Sequence, residues 1–232
     1  MMTSIETLLR THQSSFHPLV PFDFNAEGVH IDLSIANEEL QHIEDDDATG
    51  WERYIWTYMK QQGAAVCAGG YREVRSRYLR SVAYLENGEP RTTHMGVDIW
   101  AAAATPLFVP YPATVHSFQD NAAYLDYGPT VILQHRLEGE TFHTLYGHLT
   151  RESLAKLTPG QKLEAGMTFA HLGTAEVNGN WPPHLHFQLI LDMQGRTGDF
   201  PGLCTAGSLD RFAANCPDPN LILGYRSLEP ND

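Results

Sequence analysis

Residues 180–189 read NWPPHLHFQL and place two histidines one residue apart inside an apolar run. Pro182 and Pro183 confine the start of that run to the beginning or edge of a strand. In an extended strand, residues i and i+2 project to one side, roughly 6–7 Å apart along the chain. His184 and His186 therefore share a face, while Leu185 and Phe187 share the other, which is expected to be the core. The same short alternating texture recurs from about residue 64 onward, in REVRSRYL, GVDIW, TPLFVPYPATVHSF, TVILQHRL, FHTLYGHL and MTFAHLG. Turn-prone ENGEP, DYGP, LEGE and TPGQ separate these runs. Strands this short and frequent predict a mainly β chain, α+β overall, with an antiparallel sheet of the open-barrel or sandwich kind.

The flanks read differently. Thr3 with Glu6 resembles a capping box that opens a helix over roughly 4–11. Trp51, Tyr54, Ile55 and Tyr58 recur at helical spacing, and Gly63 is a natural stop. The acidic EDDDATG at 44–50 is expected to be the solvated start of that helix, and GVHIDLSI a strand. After the last β run, a loop and a short helix near 208–214 lead to a proline-bounded end. The expected organisation is a helical N-terminal extension (1–63), a β domain (64–195) and a C-terminal tail packed on the core (196–232).

With 232 residues, 42% of them hydrophobic, the chain can bury a sizeable core. Its net charge of −13 argues against nucleic acid and anionic membrane surfaces as partners. No run approaches the roughly 20 apolar residues of a membrane span. The first residues lack a cationic segment followed by a sustained apolar stretch, so a cytoplasmic location is expected; removal of a signal would instead imply a periplasmic or extracellular one. Cys67, Cys204 and Cys216 contain no CxxC and are read as reduced, buried thiols, with a Cys204–Cys216 disulfide as the alternative.

Three stretches carry chemistry. In THMGVDIW (93–100), His94 and Asp98 have equal parity, with Gly96 between them leaving room for an ion. Imidazole and carboxylate are both good zinc ligands. The same pair also fits a plain histidine–aspartate hydrogen bond. TLYGHLT places His148 at a strand end, after Gly147. A catalytic zinc needs three protein ligands and an open position for water. His94, Asp98 and one member of the HxH pair supply three, and the spare histidine is left where a general base is needed.

HMGVD, YGHL and PPHLHF, in that order, resemble the signature of the lysostaphin-type M23 zinc metallopeptidases. DIWAAAATPLFVPYPATVHSF and LTPGQKLEAGMTFAHLGTAEVNG resemble that family's intervening strand–turn and hairpin stretches, so the likeness spans roughly residues 90–192. It implies the lysostaphin-like duplicated hybrid motif fold, with zinc held by His94, Asp98 and His186. His148 and His184 then match the two active-site histidines that are not ligands. The implied activity is hydrolysis of peptide bonds, with the cross-bridge peptides of peptidoglycan as the usual substrate. No HExxH glutamate base is present, unlike in zincins.

Several features depart from the family. NGNWPP replaces the usual small-residue turn, which is expected to bring Trp181 to the cleft. His135 and His143 are read as structural. Arg72, Arg75 and Arg77 either reach the cleft, to bind a substrate carboxylate or phosphate, or pair with the acidic excess. The resemblance implies a tyrosine near the oxyanion, for which Tyr78 and Tyr84 are both candidates. WPPHLHF with the later CPDPNLILG is also similar to the M23 segment of multidomain proteins carrying a class III aminotransferase. Two other functions stay open: a cytosolic zinc hydrolase of small peptides or amides, and a non-catalytic M23-like binding module.

Overall fold

The computed structural model describes residues 4–44, 47–75, 78 and 85–229. Eight strands form one sheet, five of them from GVDIW, TPLFVPYPATVHSF, TVILQHRL, FHTLYGHL and HLHFQL and one from the start of GVHIDLSI, whereas MTFAHLG pairs with Pro106–Phe108 in a separate ladder and REVRSRYL forms no strand among its described residues. In chain order the strands are β1 (Gly28–His30), β2 (Val66–Gly69), β3 (Val97–Trp100), β4 (Ala113–Asn121), β5 (Gly128–Leu137), β6 (Glu140–Gly147), β7 (Lys162–Leu163) and β8 (His184–Ile190). Their spatial order is β1-β2-β3-β8-β6-β5-β4-β7. The sheet is open and antiparallel except at one edge, where β1 runs parallel to β2. A parallel pair needs a long crossover, and the helix Ala48–Gln62 lies within this one. Among the described residues, three two-stranded ladders accompany the sheet, one of them Thr93–His94 with Leu203–Cys204.

Local chemistry accounts for the elements. Glu138 and Gly139, at φ +49° and +95°, join β5 to β6 as a two-residue hairpin. Asp47 caps the helix Ala48–Gln62 by accepting from the Gly50 N–H at 2.8 Å, and Gly63 ends it at φ +65°. The first helix runs Ser4–Thr11 and the late one Leu209–Asn215. All three cysteines are buried free thiols.

The strand period sorts the sheet's two faces. Leu185, Phe187 and Leu189 of β8 join Val97, Ile99, Val131 and Tyr146 in the main core, which also takes Ile5 and Leu9 of the first helix. The opposite face carries two separate apolar clusters. Trp100 and Cys67 pack there with Trp51, Ile55 and Met59 of the helix Ala48–Gln62. Ile132 and Leu145 pack with Met95, Phe200, Cys204 and Cys216. His184, His186 and Asp98 lie on this same face, between the two clusters, so packing on either side braces them. Among the described residues, no helix is long and apolar enough to cross a membrane.

Candidate active site

Strand register brings the first pair together. β8 runs antiparallel to β3 with His186 opposite Asp98 and His184 opposite Trp100. His94 comes from the short ladder strand before β3, where it pairs with Leu203. His148 follows β6, whose last residue, Gly147, lies opposite His186. The five residues are buried side by side.

Three donor atoms converge. His94 Nε2 lies 3.0 Å from His186 Nδ1 and 3.2 Å from Asp98 Oδ1, and His186 Nδ1 lies 3.1 Å from the same oxygen. A tetrahedral ion with bonds of about 2.0–2.1 Å sets its ligand atoms about 3.3 Å apart. Among the described residues, His94, Asp98 and His186 are the one group of three or more potential ligands this close together.

The outer ring atoms decide which protons are present. His94 Nδ1 faces the Gly70 carbonyl at 3.1 Å, and a carbonyl only accepts, so Nδ1 carries the proton and Nε2 a lone pair. Gln188 donates its amide to the Pro201 carbonyl and the Cys216 sulfur, which turns its Oε1 towards His186 Nε2 at 3.1 Å. That proton is therefore on Nε2, and His186 Nδ1 also presents a lone pair. Burial, with Arg75 nearby, holds the His94 pKa below its usual value. Burial alone would raise the Asp98 pKa, but His94 and Arg75 outweigh it and hold the carboxyl well below its usual range. With a single proton on each ring, these outer contacts turn two lone-pair nitrogens and a carboxylate oxygen towards one another. That set fits a cation, and its nitrogen–oxygen chemistry fits zinc. A plain His94–Asp98 hydrogen bond would need a proton on His94 Nε2, which the Gly70 contact opposes.

His184 and His148 are tethered in the same manner but outside the trio. His184 Nδ1 donates to the Pro182 carbonyl at 2.7 Å, and its Nε2 lies 3.9 Å from Asp98 Oδ1. Its ring stacks on Trp100 with centroids 5.4 Å apart. His148 Nδ1 donates to the Asn178 carbonyl at 2.9 Å, and the two imidazole centroids are 4.1 Å apart. Burial lowers the His184 pKa to about 4 and pushes that of His148 well below its usual value, with His184 adding to the latter. Both rings are therefore neutral at neutral pH, with an acceptor Nε2. His148 sits at φ +64°, a left-handed backbone fixed by its N–H to Tyr127 O and its carbonyl to Gly173 N.

These residues open into a cleft of about 550 Å³, also lined by Tyr78, Tyr127 and Trp181. Trp181 reaches it as the NGNWPP turn suggests. Of the arginines, Arg75 is buried against Asp98 and Glu73, so it pairs with acidic groups rather than opening to a substrate. Arg72 lines a different depression, with Tyr71 and Asp218. Tyr78 Oη lies 3.4 Å from Arg75 Nη1, while Arg77 and Tyr84 fall outside the described residues. His135 and His143 sit away from the cleft, on β5 and β6. The space over Gly96 is filled by the His186 ring, not left open between His94 and Asp98.

Two contributors escape a motif-based reading. Gln188 continues the i+2 series of His184 and His186 and was within reach of strand parity. Tyr127, whose hydroxyl lies 3.5 Å from His186 Nε2 and donates to the Phe200 carbonyl, comes from the DYGP turn, where only turn chemistry is legible.

Residues 92–197 match the sequence profile of Peptidase family M23. No curated protein sequence matches the chain. Among solved structures, the chain is similar to the catalytic domain of lysostaphin from Staphylococcus simulans, at 20% identity over 54% of this chain and 81% of that one, with a TM-score of 0.36. A putative M23 peptidase from Pseudomonas aeruginosa matches at 22% identity over 57% of this chain and 44% of that one, with a TM-score of 0.39. A zinc-containing peptidase from Vibrio cholerae matches at 22% identity over 42% of this chain and 27% of that one, with a TM-score of 0.35. The chain thus covers less than two thirds of the last two proteins. The stretch that matches the family profile is the one that holds His94, Asp98, His148, His184 and His186, and the chain contains, over residues 92–197, a domain of peptidase family M23.

Proposed function

We propose that the chain is a zinc-dependent peptidase that hydrolyses peptide bonds by attack of water, and that cross-bridge peptides of peptidoglycan are its substrate. The observation that carries this reading is the convergence of His94 Nε2, Asp98 Oδ1 and His186 Nδ1 beside two buried, carbonyl-tethered imidazoles. His94 Nε2, Asp98 Oδ1 and His186 Nδ1 would hold the ion. Bound there, zinc supplies Lewis acidity that polarises a scissile carbonyl and makes water a better nucleophile.

The remaining chemistry belongs to the protein. His184 Nε2, close to Asp98 Oδ1, is placed to take a proton from the attacking water. Its low proton affinity keeps this acceptor available at neutral pH. His148 flanks the same space with a second neutral acceptor. An imidazole that has taken the proton becomes a donor at Nε2 and can pass it to the leaving amine. Gly70, Pro182, Asn178 and Gln188 hold the rings in these tautomers, and outer partners of this kind orient ligands and bases.

The experiment is metal analysis of the purified protein, followed by incubation of the zinc-loaded form with purified sacculi and, separately, with short glycine-containing peptides. One zinc per chain and release of muropeptide fragments are expected. Cleavage of the short peptides with sacculi untouched would replace the wall substrate by small peptides and favour a cytoplasmic enzyme. Zinc bound without cleavage of either would make the chain a binding module.

A further inference from the structure

Glu73 and Arg75 precede the residues that match family M23, yet they reach its ligand cluster. Arg75 Nη1 donates to Asp98 Oδ2 at 2.5 Å, and Arg75 Nε donates to Glu73 Oε2 at 2.5 Å. The side chains of Arg75, Glu73 and Asp98 are only 6%, 7% and 3% exposed. The other Glu73 oxygen accepts from the Leu33 N–H at 3.0 Å. Backbone bonds run alongside, from Arg75 N to Thr92 O at 3.0 Å and from His94 N to Glu73 O at 2.9 Å. The guanidinium carbon also lies 5.9 Å from the centroid of Trp100.

The two oxygens of Asp98 are therefore divided. Oδ1 faces His94 and His186, while Oδ2 is taken by Arg75. A carboxylate is otherwise free to turn and offer both oxygens to one ion. We propose that Arg75, braced by Glu73, is a positioning residue that limits Asp98 to a single metal-facing oxygen, so that the segment before the M23 match is part of the metal centre. This rests on the zinc reading above. A planar guanidinium holds two carboxylates from two of its edges, which a lysine ammonium on a flexible stem does not reproduce.

The test titrates zinc into metal-stripped full-length protein against a chromogenic chelator and records the visible spectrum of the Co2+-loaded form. Wild type should bind one equivalent of each ion. Arg75→Gln should weaken zinc binding about 10–100-fold, as loss of an outer partner commonly does. Its Co2+ bands should also shift or lose intensity as Asp98 turns and the coordination number changes. Glu73→Gln should move both readouts the same way by less. A folded Arg75→Gln protein with wild-type affinity and spectrum, whatever its melting temperature, overturns the proposal and leaves Arg75 purely structural. If Arg75→Gln does not fold, Arg75→Lys is read by the same criteria. A wild-type chain that binds neither ion removes the zinc reading, and this inference with it.

Discussion

Gly96 faces the ring of His186 with no room for a methyl group. A Cβ there would lie 2.6 Å from the ring's Cε1 and 2.7 Å from the Phe187 carbonyl oxygen. Backbone on one side and a buried imidazole on the other leave little to yield. Gly96→Ala is expected to cost about 1–3 kcal/mol of stability, as overpacking does, and to lower zinc content by turning His186. Wild-type metal content and urea midpoint in this variant would refute that close fit. A second prediction separates the histidines. Asp98→Ala should lose most of its zinc with the fold kept. His148→Ala and His184→Ala should keep zinc and lose roughly 10²–10⁴-fold in hydrolysis, the usual contribution of a general base. Equal metal loss in both sets would end that division of labour. At this scale the clustering of the five residues was legible, because HMGVD, YGHL and HLH set strand offsets that register then brings together, while their roles as ligands and bases belong to the proposal above. Their partners were not. Gly70, Pro182 and Asn178 act through carbonyl oxygens, which every residue carries and no sequence distinguishes.

Among the elements, the helix Ala48–Gln62 was plain from its aromatic stripe and the glycine stop, since helical period and a left-handed cap are both local signals. The parallel pairing of β1 with β2 was not. β1 is three residues long, and neither its direction nor its partner 38 residues away leaves a trace in alternation. The acidic run before the helix was legible as a helix start, while the capping by Asp47 in particular depended on geometry. The helix matters to the site because Ile55 and Trp51 pack with Trp100, on which His184 stacks. Ile55→Ala should destabilise the protein by about 2–5 kcal/mol, the range for emptying a buried isoleucine site. Denaturant unfolding followed by tryptophan fluorescence measures it, and a loss under about 1 kcal/mol would mean that the helix does not brace this face.

At the scale of the whole molecule, the sheet spends one face on its core and the other on a site held between two apolar clusters. Composition could announce the core but not this division, which follows from register across strands far apart in sequence. One consequence is a set of buried neutral histidines that make the fold sensitive to acid, and His135 reports on it without touching the ligand trio. Its Nδ1 faces the Tyr111 and Pro112 carbonyls, its Nε2 lies 2.7 Å from the Thr144 hydroxyl, and its ring stacks on Phe142. Burial lowers its pKa from 6.5 to about 4. Above pH 6.5 neither the folded nor the unfolded chain is protonated at this residue, and its contribution is constant. Between pH 6.5 and about 4 the unfolded chain takes up a proton that the folded chain refuses, so stability falls as pH is lowered. The full shift corresponds to about 3 kcal/mol for this residue. Urea unfolding of metal-stripped protein across that window, for wild type and for His135→Gln, tests it. Glutamine can keep a donor and an acceptor but does not titrate, so the variant should lose stability less steeply with acid by about that amount. Parallel slopes for the two proteins would show that His135 is protonated as readily in the fold as in the unfolded chain.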